Sequence, residues 1–128
     1  MARLISYDEA PPEVRAVYDD IKATRGVADV NNFWKALAVH PPTLARTWET
    51  LRQVMEPGAL DPLVKEMLYL AASAAAGCAY CVASHTAAAR ARGMTPDMHG
   101  ELLAVLGMAA ETNRLAEALR VPVDDAFT

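Results

Sequence analysis

Cys78 and Cys81 are the only cysteines in 128 residues, and they stand three apart in the run Cys78-Ala79-Tyr80-Cys81-Val82-Ala83-Ser84-His85. A thiolate is both a nucleophile and a metal ligand, and a close thiol pair can shuttle between dithiol and disulfide. On a helix, Cys78 and Cys81 are i and i+3 while Cys81 and His85 are i and i+4, so all three share one face. A proton acceptor then lies beside a thiol. At a helix N-terminus the unpaired amides and the macrodipole favour a thiolate, which makes Cys78 the more readily ionised of the two. A thiolate attacks a peroxide oxygen to give a sulfenic acid, and a second cysteine converts that to a disulfide.

Glu66, twelve residues before Cys78, is a fourth candidate. It lies three after Leu63 and four before Leu70, within the apolar stripe of a predicted helix, where a carboxylate is costly unless paired. If the chain folds back at Gly77, Glu66 can face the thiols and His85, orienting the imidazole or relaying a proton. The plainer alternative is a solvated Glu66 placed against the dipole at the start of its helix.

Other chemistries compete for the cysteines. Thiolate, imidazole and carboxylate are all zinc ligands, but structural zinc sites draw ligand pairs from separate segments, and three ligands on one face leave the site half open. A c-type haem site needs His directly after the second Cys, where Val82 stands, and a thioredoxin-like motif needs a preceding strand in a βαβ unit. No cofactor and no metal is expected. His40 reads as a helix-end residue, His99 as a solvated one, and Trp34 and Trp48 as core or interface anchors.

The elements that must position these residues are helices. Apolar residues make up 53% of the chain but aromatics only 6%, so Ala, Leu, Val and Met dominate and an all-α fold is expected. Pro11-Pro12-Glu13 opens a first helix with Val14, Val17, Tyr18 and Ile21 at helical spacing, stopped near Gly26. Residues 27–32 read as a loop. A short helix carries Phe33, Ala36, Leu37 and His40 up to Pro41-Pro42, and a third runs from about Thr43 to Met55. The strongest boundary is Glu56-Pro57-Gly58, followed by the cap Asp61-Pro62 and a fourth helix to about Ala76. Gly77 supplies the left-handed stop, so Cys78 begins a fifth helix reaching about Arg92. After Gly93, Thr95-Pro96-Asp97 starts a last helical stretch up to Val121-Pro122, with a break expected near Gly107. The Ala-rich run from Ala71 to Ala91 allows close helix approach in a core or between subunits.

The length fits one domain, taken as 1–128, with no internal repeat. A net charge of −4 and scattered Lys and Arg leave no basic stripe for nucleic acid. The apolar stretch from Met67 to Ala76 is too short to span a bilayer and the N-terminus lacks a signal-peptide core, so no membrane association and a cytoplasmic location are expected. In that reducing compartment a cysteine pair is more often catalytic or metal-binding than a structural staple.

The run Leu63-Val64-Lys65-Glu66-Met67-Leu68-Tyr69-Leu70-Ala71, followed by Gly77-Cys78-Ala79-Tyr80-Cys81-Val82-Ala83-Ser84-His85, resembles the signature of the carboxymuconolactone decarboxylase superfamily. More narrowly it resembles the alkylhydroperoxidase AhpD-like branch, in which a Glu precedes Cys-x-x-Cys-x-x-x-His by twelve residues. Asn32 to Pro41 and Asn113 to Leu119 are also similar to that family. The resemblance implies an AhpD-like helical domain with the Cys-x-x-Cys at the N-terminus of a central helix, and homo-oligomers that are trimers or hexamers. It also implies an antioxidant peroxidase or disulfide reductase: a hydroperoxide as substrate, a thiol reductant such as a lipoyl or thioredoxin-like protein, Cys81 as peroxidatic thiol, Cys78 as resolving thiol, and Glu66 with His85 as proton relay. The best-known alkylhydroperoxidases carry His just before the second Cys, where this chain has Tyr80. The decarboxylase branch lacks the Cys pair, so lactone decarboxylation is not expected. The alternative outside enzymology is a redox-sensing or structural helical oligomer.

Overall fold

Proline and glycine punctuate this chain into six α-helices, described over residues 1–128 by a computed structural model. They are α1 (Pro12–Arg25), α2 (Asn32–Leu37), α3 (Pro41–Met55), α4 (Pro62–Ala75), α5 (Ala79–Ala91) and α6 (Pro96–Leu119), with a last 3-10 turn at Asp125–Phe127. There is no strand, and no helix is long and apolar enough to cross a membrane. The chain divides into two compact units, Met1–Glu56 and Pro57–Thr128, and the division falls at the Glu56-Pro57 step.

Several boundaries differ from the sequence expectation. α3 begins at Pro41, not Thr43, because proline's fixed φ and missing N–H suit the first helical position, and α2 stops at Leu37, short of the expected His40. α6 runs unbroken through Gly107 over 24 residues. One interior glycine costs only about 1 kcal/mol relative to alanine, too little to interrupt a helix flanked by strong helix formers.

In the first unit, Val14, Tyr18 and Ile21 on α1 meet Trp34 of α2 and Leu44 and Trp48 of α3 in a closed apolar core. The two indoles meet edge to face with centroids 5.5 Å apart, a favoured aromatic geometry. Their polar neighbours are satisfied: Trp48 Nε1 donates to Asp20 at 2.6 Å, and the Tyr18 hydroxyl donates to the Ile5 carbonyl at 2.8 Å. Burial, helped by the negative charge of Asp29, pushes the Tyr18 phenol above its ordinary value. Asp29 accepts from the Val30 amide and from Lys35, and those hydrogen bonds, Lys35 first, hold its carboxyl below the usual range.

The second unit is built on the antiparallel return of α4 onto α5. The Asp61 carboxylate caps α4 by accepting the Leu63 amide at 2.7 Å, and Thr95 caps α6 by accepting the Met98 amide at 3.1 Å. Leu70 of α4, Ala89 of α5 and Met94 form the buried core, with Leu63, Met67, Val82, Met98 and Leu102 around it. Both helices are dense in alanine, and fully buried Ala89 shows how a small side chain lets the backbones approach. α6 also packs on α4, yet none of its own residues is fully buried.

Candidate active site

The turn between α4 and α5 sets the site. Gly77 has φ +73°, a left-handed conformation in which a side chain is strained, and around it the Cys78 amide donates to the Ser73 carbonyl at 3.0 Å. The last carbonyls of α4 are thereby satisfied, and α5 starts at once. Cys78 is its N-cap: the residue is extended, and its Sγ accepts the Cys81 amide at 3.2 Å. This arrangement refines the sequence expectation, which begins the helix at Cys78 itself. Cys78 and Cys81 are joined in a disulfide, with both residues half-buried.

Glu66 and His85 meet across the two helices. His85 Nδ1 lies 2.8 Å from Glu66 Oε2, and Glu66 is only 6% exposed. Glu66 is therefore not the solvated helix-start residue that periodicity left open; its carboxylate is buried and partnered. A carboxylate can only accept, so Nδ1 is the nitrogen that carries a hydrogen toward Glu66, and Nε2 is the ring nitrogen left outside this contact. A second basic side chain completes the set. Arg92, the C-cap of α5, brings its Nε to 3.7 Å from the other carboxylate oxygen, while its own side chain stays half-exposed. Both carboxylate oxygens thus face a basic side chain from α5.

Tyr69 adds a contact that sequence reading passes over. Its ring stacks on the His85 imidazole with centroids 3.7 Å apart and planes 19° from parallel. Tyr69 is three residues after Glu66, so one face of α4 carries both the carboxylate and the ring that meet His85. That i, i+3 pairing of an acid with an aromatic is the signal available in the sequence. For Arg92 the signal is weaker, a cation just past the end of the helix that the thiols open.

The remaining candidates take places outside this site. His40 stands at the N-cap position of α3 with its Nδ1 2.8 Å from the Thr43 hydroxyl and not on a backbone amide, and Trp34 and Trp48 are core residues at 2% and 4% exposure. His99 is half-buried on α6 rather than fully solvated. No three His, Cys, Asp or Glu side chains are grouped as a metal site needs. What the second unit assembles is a dithiol-disulfide pair at a helix N-terminus and, on the facing helix, a buried acid in contact with a histidine of the thiol-bearing helix.

Residues 41–124 match the carboxymuconolactone decarboxylase family, and the chain belongs to that family. Among solved structures it is similar to the alkylhydroperoxidase AhpD core from Rhodospirillum rubrum, at 60% identity and a TM-score of 0.88. The match covers 91% of this chain and 86% of that one, and the fold is accordingly AhpD-like. Among curated proteins there is no match.

Proposed function

We propose that this protein is a thiol-dependent peroxidase that reduces hydroperoxides with the Cys78–Cys81 pair, using Glu66 and His85 as its proton relay. The observation that carries the reading is the juxtaposition on α4 and α5: a disulfide-forming pair at the start of one helix and a 2.8 Å Glu66–His85 contact one turn further along it. The similarity to an alkylhydroperoxidase core supports it.

In this mechanism the imidazole accepts the Cys81 thiol proton, and the Cys81 thiolate attacks the terminal peroxide oxygen. An S–O bond forms as the O–O bond breaks, and the departing alkoxide takes the proton back from the imidazolium to leave as an alcohol. The Cys78 thiolate, favoured by the amide that its Sγ accepts at the helix N-terminus, then attacks the Cys81 sulfur. The S–S bond forms and the hydroxyl leaves, with a proton, as water. The two electrons that reduced the peroxide have come from the two thiols. An external dithiol restores them, and since Cys78 is the better-stabilised leaving thiolate, its attack falls on Cys81. The cytosol, with its reducing thiol pool, suits this cycle.

A homo-oligomer is part of the same proposal. α6 presents Leu103, Val105, Met108, Leu115 and Leu119 at the surface, and Ala104, Val105, Met108, Ala109 and Thr112 line a shallow apolar groove along it. An apolar face of this extent suits burial by a second copy of the chain. Sedimentation equilibrium checks this directly; a monomer at all concentrations contradicts it.

Steady-state consumption of an organic hydroperoxide with dihydrolipoamide as reductant tests the activity. The wild type is expected to turn over many times, whereas Cys78→Ser and Cys81→Ser do not. Oxidation of the pair by one equivalent, without turnover under any dithiol, would favour redox sensing instead.

A further inference from the structure

We propose that Tyr69 is a positioning residue of the relay, holding the plane of the His85 imidazole so that its free Nε2 stays available to the thiol pair; this rests on the peroxidase reading above. The hydrogen bond from Nδ1 to Glu66 Oε2, at 2.8 Å, fixes one point of the ring. It does not fix the plane. The last torsion of a histidine joins a tetrahedral to a planar carbon and has a broad, shallow preference, so a ring pinned at one nitrogen can still rock. A rocking ring swings Nε2, and proton transfer demands an acceptor within hydrogen-bond reach at the moment of reaction.

The Tyr69 ring removes that freedom. With centroids 3.7 Å apart and planes 19° from parallel, the two rings are in van der Waals contact over a whole face, and turning the imidazole about its bond drives an edge into the phenol ring. The contact is made by rigid supports. Glu66 and Tyr69 leave the same face of α4 as i and i+3, so the two constraints on His85 keep a fixed spacing set by one helix. Leu70, the next residue, is 1% exposed and anchors this stretch of α4 in the core. Tyr69 itself is 37% exposed, which is much for an aromatic ring whose purpose is core packing. Its two faces are unequal: one covers the imidazole, and the ring shields from water a histidine whose side chain is only 15% exposed.

Three substitutions separate the ring, the hydroxyl and the bulk. Tyr69→Phe keeps the ring, while Tyr69→Leu and Tyr69→Met keep apolar volume without a flat face. The single-turnover rate of Cys78–Cys81 disulfide formation with cumene hydroperoxide is expected to be unchanged within about twofold in Tyr69→Phe and to fall about fivefold in Tyr69→Leu and Tyr69→Met, the factor to which a typical aromatic-pair preference converts. In parallel, nitrogen NMR of the His85 ring is expected to show one sharp tautomer in the wild type and Tyr69→Phe, and exchange-broadened signals in the other two. Equal rates in all four proteins, or sharp unshifted His85 signals in both Tyr69→Leu and Tyr69→Met, overturn the proposal. A Tyr69→Phe defect as large as that of Tyr69→Leu also overturns it, since the hydroxyl would then be the acting group. The NMR arm is independent of turnover: if the wild type fails to react with the hydroperoxide, the peroxidase reading falls while the stacking effect on His85 is still decided.

Discussion

Replacing His85 by alanine is expected to destabilise the second unit by an amount that its contacts set. The imidazole is the 2.8 Å partner of Glu66, whose side chain is 8% exposed, and removing it strands a carboxylate in the interior. Breaking a buried pair from one side costs about 3–5 kcal/mol. The lower end applies here, because Arg92 remains 3.7 Å from the other oxygen and the vacated space is partly reachable by water. With an unfolding entropy of about 2.1 cal/mol/K per residue, a loss of about 3 kcal/mol lowers Tm by about 11 °C for a chain of 128 residues. Glu66→Leu, which leaves the imidazole with one unmatched N–H, is expected to cost only about 1–2 kcal/mol. The double variant has neither the stranded charge nor the unmatched donor, so the two losses are not additive, and a cycle should return a coupling of about 2 kcal/mol. Loss of the Tyr69 stack occurs in both alanine backgrounds and cancels from the cycle. Urea unfolding at one fixed protein concentration measures all four proteins, the concentration being held because assembly shifts apparent stability. Additivity within about 0.5 kcal/mol would refute a coupled, buried Glu66–His85 pair.

Two glycine replacements should act in opposite directions. At Gly77, φ +73° with open space around the absent Cβ, alanine meets no clash but must adopt the left-handed conformation, so Gly77→Ala is expected to lose about 1–2 kcal/mol in urea unfolding. At Gly107, inside α6 and also in open space, alanine should gain about 0.5–1 kcal/mol. In the first unit, the hydrogen bonds of Lys35 and the Val30 amide lower the Asp29 pKa on folding, so their stabilisation is complete above the unfolded carboxylate value and disappears as pH falls through the folded one. Asp29→Asn should therefore be less stable than wild type at neutral pH, by under about 1 kcal/mol for so exposed a pair, and equal to it in acid. A gap that widens with acidity contradicts that sign.

Much of the fold was legible because the chain marks its own helix ends. Pro12, Pro62 and Pro96 start helices, Gly26, Gly77 and Gly93 sit at the turns that stop them, and the structure places the ends within a residue or two of those marks. Where the marks misled, a residue had two meanings: Pro41 reads as a helix stop but starts α3, and Gly107 is a helix breaker only where its neighbours are weak. Glu66 could be singled out because an acid in an apolar stripe needs a partner, but periodicity alone could not choose between a buried pair and a solvated cap. That choice depends on how closely α4 and α5 approach, which alanine content suggests and only three-dimensional packing fixes. Tyr69 was hidden for the converse reason. An aromatic at helical spacing reads as core; the i, i+3 spacing from Glu66 puts Tyr69 on the acid's face, but its stacking on His85, nineteen residues past Glu66, depends on how the two helices pack.

The most direct measurement of the central claim is the intact mass of fully reduced protein after one equivalent of hydroperoxide, taken for the wild type and the two single cysteine variants. The expected result is loss of two hydrogens in the wild type through the Cys78–Cys81 bond, one added oxygen on Cys81 in Cys78→Ser, and no change in Cys81→Ser. A wild-type mass that stays at the dithiol value, with the hydroperoxide unconsumed, contradicts the claim that these two thiols reduce hydroperoxides.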